Sequence, residues 1–256
     1  MVAGFHSHYW RHRELTGASA RALAELMAPT EPRAYLAAFR TLLHSDDTVA
    51  AGIALDHFQY AEALTRFGRE SALDQLAPEV LAVARELLRQ PPLPAEGDVG
   101  AGANHASALL AMMNLAGPAD ADLIAAALER ATTGDVRQAA CLAAGNALHG
   151  AEPSRRLIAT LGAVAFDERL DVAERTQALS ALSEADAPEA TELLLRATES
   201  TELAVQLVAA DGLTRGNRLA EHRDLLVRLA ASWPDGDGDG TAWQVRDIRR
   251  RLGLPG

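Results

Sequence analysis

Polar and aromatic side chains that could do chemistry concentrate on two predicted helices in the first half of the chain. Asp56, His57 and Tyr60 lie within one short stretch, and His105 and Asn114 lie on the next helix of the same type. An imidazole near a carboxylate and a phenol can transfer protons or bind a polar ligand. The pattern therefore favours a binding groove at this end of the molecule. The alternatives are a cluster of hydrogen-bonded polar side chains in the core and a catalytic histidine.

The groove is expected to run onto the next helix of the series, where further amide side chains occur. The inner helices that follow are richer in apolar residues, so we expect the binding determinant in the first three repeat units. The candidate binding residues are Asp56, His57, Tyr60, His105, Asn114, Gln138 and Asn146.

An acidic loop near the C-terminus is similar to the first half of an EF-hand calcium loop. Asp235, Asp237 and Asp239 occupy the spacing of the first three ligands, and Gly240 follows them. The closing position of such a loop needs a bidentate glutamate, whereas this chain has Arg246 there. These three aspartates are therefore weak metal candidates, and an acidic turn without metal is the favoured interpretation.

Histidines near the N-terminus form a second candidate metal site. His8 and His12 would share one face of a helix, with His6 and Glu14 nearby. Two imidazoles without a well-placed third ligand make an incomplete site. The sequence also lacks a phosphate-binding loop, a dinucleotide fingerprint and a nucleophile elbow. We therefore predict no cofactor and no bound metal.

The elements that must position these residues are helices that recur along the chain at a period of roughly 30–45 residues. The second helix of each unit can be aligned on Ala50, Ser107, Arg137, Arg175, Gln206 and Arg246. Residues three, four and seven positions further on share one helical face, which is small and apolar in the middle units. We predict burial of this face at Ala140, Cys141, Ala178, Leu179, Leu182, Ala209 and Leu213.

The predicted fold is all-α, with more than about 60% helix and essentially no strand, and its helices form about six antiparallel pairs. Residues 1–29 form an N-terminal capping segment, and residues 30–256 form one continuous repeat array. Two insertions, at 91–102 and 234–240, are expected to be mobile. The predicted pairs are 30–43 with 49–66, 78–90 with 104–116, 120–131 with 135–148, 153–166 with 172–183, 188–198 with 202–215, and 219–233 with 241–252.

The second helices carry a motif that resembles the HEAT repeat. A turn with Asp135 is followed by Val136 and Arg137 and then by Ala140, and Val-Arg recurs at Arg246. The resemblance implies a right-handed HEAT/ARM-like α-solenoid whose second helices line the concave face. It also implies a scaffold or adaptor that binds a protein or peptide. Some bacterial relatives are enzymes, among them alkylpurine DNA glycosylases and phycobilin lyases, so the motif indicates fold and not activity.

The composition limits the partners that such a surface would attract. The formal net charge is −11, and all 24 basic residues are arginines, so binding to nucleic acid is disfavoured on average. The only cysteine, Cys141, lies in an apolar stretch and excludes an internal disulfide. We see neither a membrane-spanning run nor a signal peptide, and we expect a cytoplasmic, bacterial protein.

The favoured function is a helical-repeat interaction module that binds a protein or peptide of basic or mixed charge along its concave face. It would be an accessory, regulatory or immunity-type protein, as a monomer or weak homodimer. The alternative is an enzyme that acts on a small molecule near His57, His105 and Asn114. A DNA glycosylase of the HEAT-like type is a third reading, but the tryptophans stand near the two ends of the chain and not in the middle of the array.

Overall fold

The computed structural model describes residues 15–28, 31–65, 72–96, 100–150, 152–234 and 240–254. These residues form α-helices joined by short turns, and they contain no β-strand. The structure is 72% helical, so the all-α prediction is confirmed. No helix within the described ranges is long and apolar enough to cross a membrane.

The helices follow the predicted pairs closely along the chain, preceded by the short helix α1. Short 3-10 turns at Asp74–Leu76 and Pro118–Asp120 precede α4 and α6. The α-helices are α1 Gly17–Met27, α2 Pro32–Leu43, α3 Thr48–Thr65, α4 Ala77–Arg89, α5 Ala103–Met112, α6 Ala121–Glu129, α7 Gly134–Ala147, α8 Arg155–Ala165, α9 Val172–Leu182, α10 Pro188–Ala197, α11 Leu203–Leu213, α12 Arg218–Glu221, α13 Arg223–Ser232 and α14 Gly240–Leu252.

The sixth pair departs from prediction, because its first helix is two helices. His222 has φ −113° and ψ 14°, outside the helical region, and it separates α12 from α13. The amide of Leu226 then bonds to the carbonyl of His222 at 3.0 Å and restarts the helix. Apolar spacing continues through the break, so the sequence predicted a single helix.

The chain forms two compact units. Unit 1 comprises Met1–Ala116 and Ala126–Ala143, and unit 2 comprises Gly117–Ala125 and Ala144–Gly256. The division falls within α6 and α7.

Within unit 1 the helices pack in sequence order. The short helix α1 packs on α2, α2 packs on α3, and α3 and α4 both pack on α5. The rings of Phe39 and Phe58 join α2 to α3 with 6.5 Å between their centroids. Leu42 and Leu55 are fully buried in the same core. Helix α1, which lies within residues 1–29, thus packs on the first helix pair.

Within unit 2 the second helices form a row, in which α9 packs on α11 and α11 packs on α14. The first helices α8, α10 and α13 pack against α9, α11 and α14 respectively. This sequence-ordered packing is the arrangement of an α-solenoid. The small-residue face lies at these contacts: a Cβ added to Gly212 of α11 would stand 2.9 Å from Ser183 Cβ, so the helices approach closely.

All seven residues predicted on the apolar face are buried, and none is more than 1% exposed. Two arginines at the alignment position have a different role, because each bonds to a carbonyl near the end of the preceding helix. Arg175 donates from Nε to the carbonyl of Ala165 at 3.2 Å, and Arg137 donates from Nη1 to the carbonyl of Ala131 at 3.3 Å. Arg137 of the Val-Arg motif therefore has a structural role, whereas Arg246, where the motif recurs, is exposed on α14.

Candidate functional site

The row of second helices in unit 2 carries an open groove of about 330 Å³. Its lining combines side chains of α9, α11 and α14 and is mostly polar. The residues that line it are Thr176, Gln177, Ser180, Val208, Asp211, Trp243, Gln244, Asp247, Ile248 and Arg251.

Helical spacing explains why these residues share one surface. Gln177 and Ser180 on α9 are three apart, as are Val208 and Asp211 on α11, so each pair lies on one face. This face is offset from the buried apolar face by one or two positions along each helix. Each second helix of this row therefore packs against neighbouring helices through its apolar face, and the adjoining polar face lines the groove.

Trp243 is the dominant apolar group of the groove. It is 62% exposed, an unusual state for a large apolar side chain. The other tryptophan in the described ranges, Trp233, is 4% exposed and donates from Nε1 to Gln206 Oε1 at 3.0 Å. Trp233 therefore stabilises the fold, whereas most of the Trp243 side chain is open to solvent.

Ion pairs line one side of the groove. Arg251 bonds to Asp211 Oδ1 at 2.8 Å and to Asp247 Oδ2 at 2.5 Å, which ties α14 to α11. Arg250 makes a second ion pair with Asp247. The carboxylates of the groove are therefore held in place by arginines of the same unit.

The network continues beyond the groove through Arg215. Its guanidinium lies 3.4 Å from Asp211 and forms an ion pair with Glu184, which also bonds to His149 Nε2 at 3.1 Å. Burial raises the pKa of Glu184, but the bonds from His149 and Arg215 outweigh it and hold the pKa below its usual value. Glu184 is therefore a fixed anion at neutral pH.

The candidate residues on α3 lie largely inside unit 1. Asp56 and His57 are 7% and 9% exposed, and Tyr60 is half-buried. The hydroxyl of Tyr35 on α2 lies 2.8 Å from His57 Nε2, with the two rings edge to face. Burial raises the pKa of Tyr35. The imidazole therefore joins α3 to α2.

His105 on α5 fastens the loop that precedes its helix. It is 1% exposed, and its Nε2 donates to the carbonyl of Gln90 at 2.9 Å. Burial lowers the pKa of His105, against the effect of the Gln90 bond and together with the charge of Arg130. Its neighbour Asn104 accepts from the amide of Leu93 and donates to another loop carbonyl. The described part of the 91–102 insertion is thus bonded to α5.

The remaining candidates are scattered. Asn114 follows the end of α5 and is half-buried, and Gln138 is exposed on α7. Asn146, also on α7, is half-buried and belongs to unit 2, whereas the other candidates belong to unit 1. The structure brings Asp56, His57 and Tyr60 together on one helix and does not gather all seven residues into one open surface.

The metal candidates fall outside the described ranges. Asp235, Asp237 and Asp239 lie there, as do His8 and His12. Among the residues that the structure does describe, no group of three potential ligands is placed to hold a metal ion.

Sequence reasoning missed Trp243, Gln177, Ser180 and Gln244. For Gln177 and Ser180 the signal was a polar residue two or five positions after the alignment residue Arg175, whereas Trp243 and Gln244 stand three and two positions before Arg246. The predicted site instead relies on the position seven residues after the alignment residue, which in α9 and α11 holds the fully buried Leu182 and Leu213.

Comparisons with known proteins do not identify the chain. No protein-family model matches the sequence, and no curated protein matches it either.

Proposed function

We propose that this protein is a helical-repeat interaction module that binds an extended segment of a protein or peptide partner in the groove of α9, α11 and α14. The observation that carries the proposal is the 62% exposed Trp243 at the edge of a polar groove. An exposed tryptophan among ordered neighbours is typical of a binding hot spot. The HEAT-type architecture suggested by the sequence is part of the same proposal.

The groove suits an extended chain because it offers both apolar and hydrogen-bonding contacts. The Trp243 ring and Val208 provide apolar surface, and the side chains of Gln177, Ser180 and Gln244 are half-buried along it. Amides and hydroxyls can satisfy the peptide groups of a bound segment, which would otherwise lose their bonds to water. The volume of about 330 Å³ accommodates a few side chains of the partner and not a folded domain.

Charge favours a partner of basic or mixed character. The formal net charge of the protein is −11, which accelerates encounter with a cationic partner at low salt. An arginine or lysine of the partner could stack on the Trp243 ring, since indole is the most favourable aromatic surface for a cation. With its single, buried Cys141, the chain needs no oxidising environment, and we propose a cytoplasmic setting.

The enzyme alternative near His57, His105 and Asn114 has less support. His105 is fully buried and uses Nε2 to hold the Gln90 carbonyl. His57 contacts the Tyr35 hydroxyl inside unit 1. A catalytic group must reach its substrate, and the two imidazoles are only 9% and 1% exposed.

The proposal can be tested by selecting binders from a library of short random peptides displayed on phage. Selection uses the wild-type protein, and each binder is then measured against Trp243→Ala and against Arg228→Ala. Arg228 is exposed on α13 and does not line the groove. We expect binders rich in basic residues whose affinity falls by about 2 kcal/mol or more with Trp243→Ala only. Binders whose affinity is unchanged by Trp243→Ala would refute the proposal.

A further inference from the structure

A second cavity of unit 2, of about 650 Å³, carries a different chemistry from the groove. Its lining combines Ala187 and Pro188 at the start of α10 with residues between Arg215 and His222. Cavities that bind small molecules have volumes of roughly 300–1,000 Å³, so this cavity is large enough for such a ligand.

Two nitrogen atoms of this cavity's lining residues lack hydrogen bonds. Arg218 donates from Nη2 to the carbonyl of Ser183 at 2.6 Å, but its Nη1 is buried without a partner among the described residues. His222 Nε2 is in the same state, since the carboxylate of Glu221 lies 3.9 Å away. A buried polar nitrogen without a partner destabilises a fold, so such groups require an explanation. An acceptor brought by a ligand supplies one.

The charge on Arg218 is also poorly compensated. Burial lowers the pKa of its guanidinium and the neighbouring Arg215 lowers it further, while the charges of Asp186 and Glu184 raise it without offsetting the burial. A ligand anion beside Nη1 would stabilise the charged form. Arg215 itself is already paired with Glu184, which also bonds to His149.

The edge of the cavity is acidic. Asp186, Glu192 and Glu221 line it and are exposed, whereas Arg218 is half-buried. Three carboxylates around one guanidinium attract a ligand with excess positive charge, and the unpartnered nitrogens require an anionic group on that ligand. A molecule with one carboxylate and two cationic groups meets both conditions.

We propose that this cavity binds a free amino acid with a cationic side chain, arginine or lysine. The ligand's carboxylate accepts hydrogen bonds from Arg218 Nη1 and His222 Nε2, and its amino group and side chain face Asp186, Glu192 and Glu221. Both nitrogens are shielded from solvent, so binding turns the Arg218 and His222 side chains toward the cavity that they line. This site is separate from the peptide groove and does not depend on its function.

Titration calorimetry of the full chain with L-arginine, L-lysine and agmatine tests the proposal. Agmatine is arginine without the carboxylate, so it keeps the cationic groups and loses the contact to Arg218. We expect L-arginine or L-lysine to bind, and agmatine to bind about 10- to 100-fold more weakly than L-arginine. This comparison uses the wild-type protein and needs no variant.

A matched pair of arginine variants locates the site. Arg218→Gln should weaken amino-acid binding by about tenfold or more, whereas Arg228→Gln on α13 should leave it unchanged. The melting temperature of each variant shows that it is folded. Equal binding of agmatine and L-arginine, an unaffected Arg218→Gln variant, or the absence of any binding at millimolar L-arginine and L-lysine would each overturn the proposal.

Discussion

The second helices of both units pack against neighbouring helices through an apolar face. They differ in whether the rest of the helix surface is buried. In unit 1, every residue of α3 from 50 to 58 is buried, and α5 is buried almost throughout. In unit 2, α9, α11 and α14 leave a polar face open to the groove. A helix that is apolar all round belongs to a core, and an amphipathic helix belongs to a surface. The second helices therefore form core in one unit and an open polar surface in the other.

The difference resides in a few positions next to the packing face. Two and five residues after the alignment position, α5 has Leu109 and Met112, which are fully buried. The corresponding residues of α9 are Gln177 and Ser180, which are half-buried at the groove. Packing between neighbouring helices requires apolar residues only on the packing face. Residues next to that face can therefore be apolar and buried, as in α5, or polar and open, as in α9.

Truncating the side chain at one equivalent position in each unit should give the largest difference in stability loss. Leu109→Ala in α5 removes a fully buried side chain and should lower the free energy of unfolding by about 2–5 kcal/mol. Val208→Ala at the same position of α11 removes a half-buried groove residue and should cost less than about 1 kcal/mol. Urea unfolding of both variants measures the two values. Similar losses at the two positions would contradict the contrast between core and surface helices.

A smaller, pH-dependent effect should report on His105 alone. Burial lowers the pKa of His105 in the folded state, so folding favours the neutral imidazole. The stabilisation is fully present above the unfolded pKa of about 6.5, and it is lost as the pH falls from there toward the folded pKa.

The variant His105→Gln keeps a donor for the Gln90 carbonyl but does not titrate. Its stability, measured between neutral and mildly acidic pH, should fall less than that of the wild type. If the stabilities of the two proteins change with pH in parallel, protonation of His105 is not coupled to folding.

Sequence alone predicted the helices and their packing face well, because both depend on local spacing. Cys141, Ala178 and Leu182 are buried as predicted. The bounds of the second helices agree within about two residues except at α5, which ends four residues earlier than predicted. The break at His222 was not predictable, since no proline or glycine marks it.

The candidate site was harder to predict for a physical reason. His57 stands at the position that holds buried leucines in later units, and its polarity suggested an exposed role. Polarity does not decide exposure when a hydrogen-bond partner such as Tyr35 is available inside the protein. Whether the second face of a helix is covered depends on tertiary packing, which residue spacing does not encode.

Site-specific photo-crosslinking tests the central claim most directly. The only native cysteine, Cys141, is buried, so a cysteine introduced at Gln244 in the groove or at Gln138 on α7 carries the probe selectively. Gln138 belongs to the site favoured by sequence and is exposed, which makes it a matched control. With a selected peptide bound, we predict crosslinks from position 244 and none from position 138. Crosslinks from position 138 alone would contradict the account and place binding in unit 1.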